Sequence, residues 1–189
     1  VAAGHVAPSW KPALYAPLLD FAISHRLRIV AANYSRERAR ALVAQGIAGV
    51  DAQEAKRLAL AQTWTPGRQA EQHALIVEGH CGQDDSMVDK LVDVQRMRDA
   101  TMADAILQEP RAVAIIGRGH ARADVGVPLY LHARAPGRRV ISVGLVEVEA
   151  GKRRPADYAD AAPGVHDLVW FTVRAERGDP CAAFNRPPA

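Results

Sequence analysis

The sequence predicts an α/β fold, a mostly parallel sheet flanked by helices on both faces. Short apolar runs alternate with longer amphipathic stretches along most of the 189 residues, the order that crossover connections between parallel strands require. Two runs, residues 27–32 and 112–116, are apolar almost throughout, as strands buried on both faces read. Each empties into a polar loop, Asn33-Tyr34-Ser35-Arg36 and Gly117-Arg118-Gly119-His120, and ligands gather at such carboxyl ends in open parallel sheets.

The elements follow in order. Ser9 caps a helix over residues 11–25, with Leu14, Leu18, Leu19 and Phe21 among its apolar positions. The run 27–32, with one charge, is a strand. Ser35 caps a helix over 36–45, which Gly46 stops. Asp51 opens a helical stretch through Ala61, Pro66-Gly67 marks a turn, and residues 69–80 return to helix. After the loop 81–85, a long helix runs over 86–107, and Pro110 ends it. Strand 112–116 leads into the glycine loop, whose glycines let the backbone turn sharply. A short helix or turn covers 127–133, and a strand covers 140–148. A polar loop over 149–164 precedes a final strand, 166–173, and a Pro-rich tail, 179–189. The whole reads as one domain, 1–189. Four strand-like runs are few for a sheet between this much helix, a shortage that points to a missing part.

Composition sets bounds. Hydrophobic residues make up 49% and charged residues 24%, ordinary values for a globular protein of this size. A net charge of +3 with scattered arginines, and only Lys152-Arg153-Arg154 as a compact basic run, argues against a nucleic-acid partner. No apolar stretch reaches transmembrane length. The chain opens on Val1-Ala2-Ala3-Gly4 without a start methionine or signal peptide, as a processed or trimmed product would. Cys81 and Cys181 fit no zinc pattern, and one disulfide or two separate thiols both remain open.

The long helix carries the candidate site. Val88, Leu91, Met102 and Ile106 fall on one face, and Gln95, Arg98 and Asp99 project onto that face or its edge. Polar and charged groups facing a core are costly unless each finds a partner, and a site at the end of the next strand supplies a reason. With the strands 27–32 and 112–116 as neighbours, Asn33, Arg36 and His120 would line one cleft with Arg98 and Asp99. The plainer alternative pairs Arg98 with Asp99 or a carbonyl and uses His120 as a helix cap.

Other residues give weaker signals. His80 ends a helix beside Cys81, and His73 lies seven residues before it, not at the i, i+4 spacing of zinc pairs. His5, His25, His132 and His166 are expected near the surface. Tyr15, Tyr34 and Tyr130 are candidate anionic oxygen ligands for ferric iron, although a buried, hydrogen-bonded tyrosine is the commoner case. Gly117-x-Gly119 lacks the third glycine of a dinucleotide fingerprint, and no Gly-x-Ser-x-Gly elbow or phosphate-binding loop appears.

In order along the chain come Ser9-Trp10, Tyr15-Ala16-Pro17-Leu18-Leu19, Val30-Ala31-Ala32-Asn33 and His80-Cys81-Gly82. Gln95-Arg96-Met97-Arg98-Asp99-Ala100-Thr101-Met102-Ala103 and Gly117-Arg118-Gly119-His120-Ala121-Arg122 follow. Gly126-Val127-Pro128, Asp167-Leu168-Val169-Trp170-Phe171-Thr172 and Asp179-Pro180-Cys181 complete the set. With these segments the chain resembles the ChaN-like haem-binding proteins, also described as iron-regulated lipoproteins. The specific part is Gln-x-x-Arg-Asp-x-x-Met-Ala together with Gly-x-Gly-His-Ala-Arg. The resemblance implies a ChaN-like α/β domain of the bacterial cell envelope, in the periplasm or lipid-anchored at the outer membrane, linked to haem or iron acquisition. It implies haem held by tyrosine, with Tyr15 in a family-like segment, between two subunits of a homodimer that bring their haems face to face. It places Cys81 and Cys181 in family-like segments, which favours a disulfide in an oxidising envelope.

The family also resembles the TraB and Tiki proteins, presumed metal-dependent hydrolases with two Gly-x-x-His motifs, the second matched by Gly117 to His120. A first strand bearing a Gly-Glu-x-x-His-like motif is expected in the family and is not found here, so half of a two-part site is expected to precede Val1.

Two functions follow, with a third behind them. The leading one is a non-enzymatic haem carrier or store, partnered by haem, a second copy and outer-membrane uptake machinery. Arg36, Arg98 and Arg122 would meet the propionates there, with His120 as hydrogen-bond partner or second ligand, and Asn33, Gln95 and Asp99 among the cofactor-binding residues. The rival is a metal-assisted hydrolase, with His120 and Asp99 near a divalent ion and Asn33 or Arg98 polarising a carbonyl. The third is a scaffold that keeps the polar network and binds nothing.

Overall fold

The computed structural model describes residues 12–79 and 85–176. The chain divides into two compact units, Val1–Asn33 and Tyr34–Ala189. His5, His80, Cys81, Cys181 and the Pro-rich tail lie outside the described residues.

In the first unit, helix α1 (Pro12–Ser24) ends where Arg26 turns to φ 54° and Leu27 N donates to Ala22 O at 2.8 Å. Residues 27–31 are exposed, and residues 27–32 form neither helix nor strand. Their apolar sequence suits a strand, but no described segment supplies the ladder of hydrogen bonds that makes one, which corrects the expected strand there.

The second unit is built on capped helices around one long one. Helix α2 (Arg36–Gln45) starts at Ser35, whose hydroxyl accepts from Arg38 N, and ends at Gly46 with φ 70°. Asp51 caps α3 (Ala52–Arg57) by accepting from Gln53 N and Glu54 N. The stretch expected to run unbroken to Ala61 is interrupted by Ala59 at φ 58°, after which α4 (Leu60–Thr63) restarts. Helix α5 (Pro66–Gly79) begins inside the expected turn. Thr65 Oγ1 accepts from Arg68 N at 3.3 Å, and Pro66 takes the first helical position, where its missing N–H costs nothing.

Helix α6 (Asp85–Leu107) spans 23 residues. Val88 and Val92 pack with Ile76 of α5 against Trp64 and Leu91, while Met97, Ala100 and Ala103 are fully buried. Each large apolar side chain buried this way contributes ~2 kcal/mol, enough in sum to carry polar groups inside the same helix. Arg96 is one of them. It lies 4.4 Å over the Trp64 ring and donates to Leu60 O at 3.2 Å.

Residues 112–116 form no strand and pair with no other strand among the described residues, with Val113 93% exposed, a second correction with the same cause as the first. Two short helices follow, α7 (Arg118–Ala121) and α8 (Val127–Arg134). Strands β1 (Val143–Glu147) and β2 (Leu168–Thr172) pair in parallel, Val143 opposite Leu168 and Leu145 opposite Trp170. Their crossover carries two 3-10 turns, Pro155–Asp157 and Ala159–Ala161. Tyr158 pins it, accepting from Glu149 N at 2.9 Å and meeting Phe171 edge-on at 5.0 Å. Alternation points Val146 inward and leaves Leu145 and Trp170 on an exposed apolar face. The α/β class read from the sequence is borne out. No helix among the described residues is long and apolar enough to cross a membrane.

Candidate functional site

The site is assembled from α6 and α7. Gln95 and Asp99 are one helical turn apart on α6, so both side chains point the same way. Helix α7 brings His120 to them. His120 Nδ1 lies 2.6 Å from Asp99 Oδ1 and 2.8 Å from the Gln95 side-chain amide. An ionised carboxylate only accepts, so the imidazole donates Nδ1–H to it. With its hydrogen given to Asp99, Nδ1 has no lone pair left to accept from Gln95 Nε2, so the shorter, charge-assisted contact to Asp99 is the bond that forms. Nε2 is left without a hydrogen bond among the described residues, on a ring that is 19% exposed.

Asp99 is fully buried, and its Oδ2 has no partner among the described residues. Burial pushes its carboxyl up to about 6, against the pull of the His120 hydrogen bond and the Arg98 charge. The hydroxyl of Tyr130 on α8 is likewise buried with no hydrogen-bond partner among the described residues. Burial, reinforced by the Asp99 charge, pushes its pKa up to about 12. Fully enclosed and held neutral, Tyr130 is a core residue rather than an iron ligand. Tyr34 is 7% exposed and lies under the Arg38 guanidinium at 4.6 Å.

Arg98 stands beside this pair. Burial lowers its pKa, the Asp99 charge opposes that, and the positive charge of Arg36 adds to the lowering. Arg98 Nε is buried without a partner among the described residues, where the plainer expectation, a bond from Arg98 to Asp99 or a carbonyl, is not seen. Neither Arg98 nor the exposed Arg36 forms a salt bridge among the described residues, and the Asp99 charge is what offsets Arg98.

Arg122 is placed differently. It is 3% exposed and bonds Glu71 at 2.7 Å and Asp124 at 2.6 Å, with Asp160 at 3.7 Å. These carboxylates hold it away from the propionate role expected of it. Around it lies an open cleft of about 450 Å³ lined by Arg68, Glu71 and Asp124 among others. Asn33 and Tyr15 belong to the first unit, Asn33 exposed and Tyr15 half-buried.

The glycine loop also works differently from its expected form. Gly117 has φ −61°, open to any residue, and the glycine that matters is Gly126. A Cβ there would come within 2.4 Å of His120 O and 2.7 Å of Arg122 O. His166, expected near the surface, is 9% exposed. Sequence reading missed Ser142 and His166 as neighbours of the His120 helix, since nothing local marks a contact across 24 residues. Among the described residues, no group of three or more His, Cys, Asp or Glu is placed to hold a metal ion.

Fold and site together define an α/β protein with a buried carboxylate–imidazole pair beside Arg98. The chain belongs to the family described as haem-binding uptake, Tiki superfamily, ChaN, whose model matches residues 3–131. This bears out the resemblance carried by the Gln95–Ala103 and Gly117–Arg122 segments. The fold is similar to that of the solved structure "Cofacial heme binding to ChaN of Campylobacter jejuni", with a TM-score of 0.62 and 20% identity. The similarity covers 78% of this chain and 55% of that one, so the chain spans little more than half the length of that relative. No curated protein matches this chain.

Proposed function

We propose that this chain is a haem-binding module of bacterial haem or iron uptake, a carrier or store within the cell envelope. The surface made by Arg36, Arg98 and His120 receives the carboxylate edge of the macrocycle. One observation carries this reading: Arg98 is half-buried beside Asp99, its Nε has no partner among the described residues, and neither it nor the exposed Arg36 forms a salt bridge there. A partly buried cation without a hydrogen-bonded partner is costly, and a propionate is of the right charge to relieve that cost. The apolar ring has a surface to meet as well, since Val113 and Ile115 are exposed on the segment leading into α7. His120, with Nδ1 engaged, offers Nε2 to the ligand. Bound haem would supply ferric iron, for which a tyrosinate oxygen is a recognised axial ligand. Tyr15 is proposed for that role on the family pattern alone. A homodimer with facing haems, loaded by outer-membrane uptake machinery, extends the same proposal.

Adding haem to the purified protein tests it. A saturable Soret band with a tyrosinate signature, lost in Tyr15→Phe, is the expected result. The second reading, a metal-assisted hydrolase, draws on the unengaged Nε2 of a histidine oriented by a buried carboxylate. Stoichiometric zinc or manganese uptake without a haem band would establish it in place of the first. Neither signal would leave a scaffold that binds nothing.

A further inference from the structure

Ser142 is a junction at which β1, β2 and α7 meet. Its N–H donates to Asp167 Oδ2 at 2.7 Å, and its carbonyl accepts from Asp167 N at 3.1 Å and Leu168 N at 3.0 Å. Its hydroxyl contacts both the carbonyl of Ala121 and Nδ1 of His166, the latter at 2.9 Å. A hydroxyl has one hydrogen, and a carbonyl can only accept. The direction is therefore fixed: His166 Nδ1–H donates to Ser142 Oγ, and Ser142 Oγ–H donates to Ala121 O.

The far side of the His166 ring agrees. Nε2 is buried without a partner among the described residues and lies against Gly144, where a Cβ would come within 2.8 Å of Nε2 and 2.5 Å of Cδ2. A hydrogen on Nε2 would have no acceptor, so the ring carries its single hydrogen on Nδ1. Burial lowers the His166 pKa and keeps the ring neutral. Ala121 directly follows His120 and is the last residue of α7. Ala123 N donates to Val165 O at 2.7 Å, which ties the same loop to the same strand entry.

We propose that Ser142 and His166 are positioning residues for His120, the relay from His166 through Ser142 to the Ala121 carbonyl fixing α7 so that the His120 imidazole meets Asp99. The proposal rests on reading His120 as the group that faces the ligand, but its test uses no ligand, so the two can fail separately. The probe is the ring N–H proton that His120 donates to Asp99, followed as a low-field resonance by proton and nitrogen NMR on the full chain. Ser142→Ala is expected to lose or broaden that resonance. His166→Asn, whose side-chain N–H can replace Nδ1–H, is expected to keep it, and His166→Leu to lose it. Val88→Ala, a destabilising change in the α5–α6 core, should leave it in place. Where Ser142→Ala fails to fold, the contrast between His166→Leu and His166→Asn carries the same test. An unmoved, full-intensity resonance in Ser142→Ala or His166→Leu, with only the loss of thermal stability that Val88→Ala also shows, would overturn the proposal.

Discussion

His120 donates to Asp99 across 2.6 Å, and the second oxygen of that carboxylate is buried with no partner among the described residues. The imidazole thus compensates half of a buried carboxylate and leaves the other half exposed to the low dielectric of the core. That imbalance gives the pair its chemical character: a histidine oriented by an acid that is reluctant to ionise.

The first prediction concerns pH. The folded Asp99 carboxyl stands at about 6 against an ordinary 3.8, raised by burial. Between these values the native state holds a proton that the unfolded chain has lost, so stability falls as pH rises through that window. The contribution is fully present below pH 3.8 and lost above about 6, at most about 3 kcal/mol for such a shift. Urea unfolding of wild type and Asp99→Asn at matched pH checks it. Wild type should lose stability relative to the variant between pH 4 and 7, and a constant difference would count against the burial argument.

The second concerns Arg98 without ligand. Burial of the guanidinium, with its Nε unpartnered among the described residues, outweighs the attraction to Asp99, so the apo protein gains little from its charge. Arg98→Leu should leave apo stability unchanged or raise it by about 1 kcal/mol, read from thermal or urea midpoints.

Arg122 should behave in the opposite way. Removing it leaves Glu71, Asp124 and Asp160 without their shared cation, and breaking a buried ion-pair cluster costs about 3–5 kcal/mol. Solvent reaches Glu71 and Asp124, which puts Arg122→Met at the lower end. Denaturation midpoints measure this, and the haem affinity of the surviving folded fraction should match wild type.

Gly126→Ala is the fourth. Its Cβ would meet the His120 carbonyl at 2.4 Å, a backbone atom that cannot swing aside. The loop must shift, costing about 1–3 kcal/mol, and the His120–Asp99 contact should weaken with it. Circular-dichroism melts give the first quantity and the His120 ring resonance gives the second.

Much of this was legible in the sequence where the determining physics is local. Ser35, Gly46 and Asp51 mark helix ends through bonds that span a few residues, and each cap forms as read. Asp99 and Gln95 on an apolar helix face announced a buried polar site, because such a placement is too costly to be idle. What the sequence hid depends on distant partners. Residues 27–32 and 112–116 read as strands because short apolar runs of that length suit buried strands, but a strand also needs a neighbour, which no local pattern specifies. Ala59 takes a left-handed conformation without being glycine or asparagine, so nothing flagged the break after α3. Arg122 and Arg98 look alike as isolated arginines. Only the folded chain shows one ion-paired to carboxylates and the other beside Asp99 without a bond to it.

The most direct test of the central claim is a haem titration of wild type beside the double variant Arg36→Ala/Arg98→Ala, followed at the Soret band. If these guanidiniums receive the propionates, wild type saturates and the double variant binds roughly tenfold to a hundredfold more weakly, as loss of charged hydrogen bonds implies. Equal affinity in the two proteins, or no Soret band in wild type, would contradict the account.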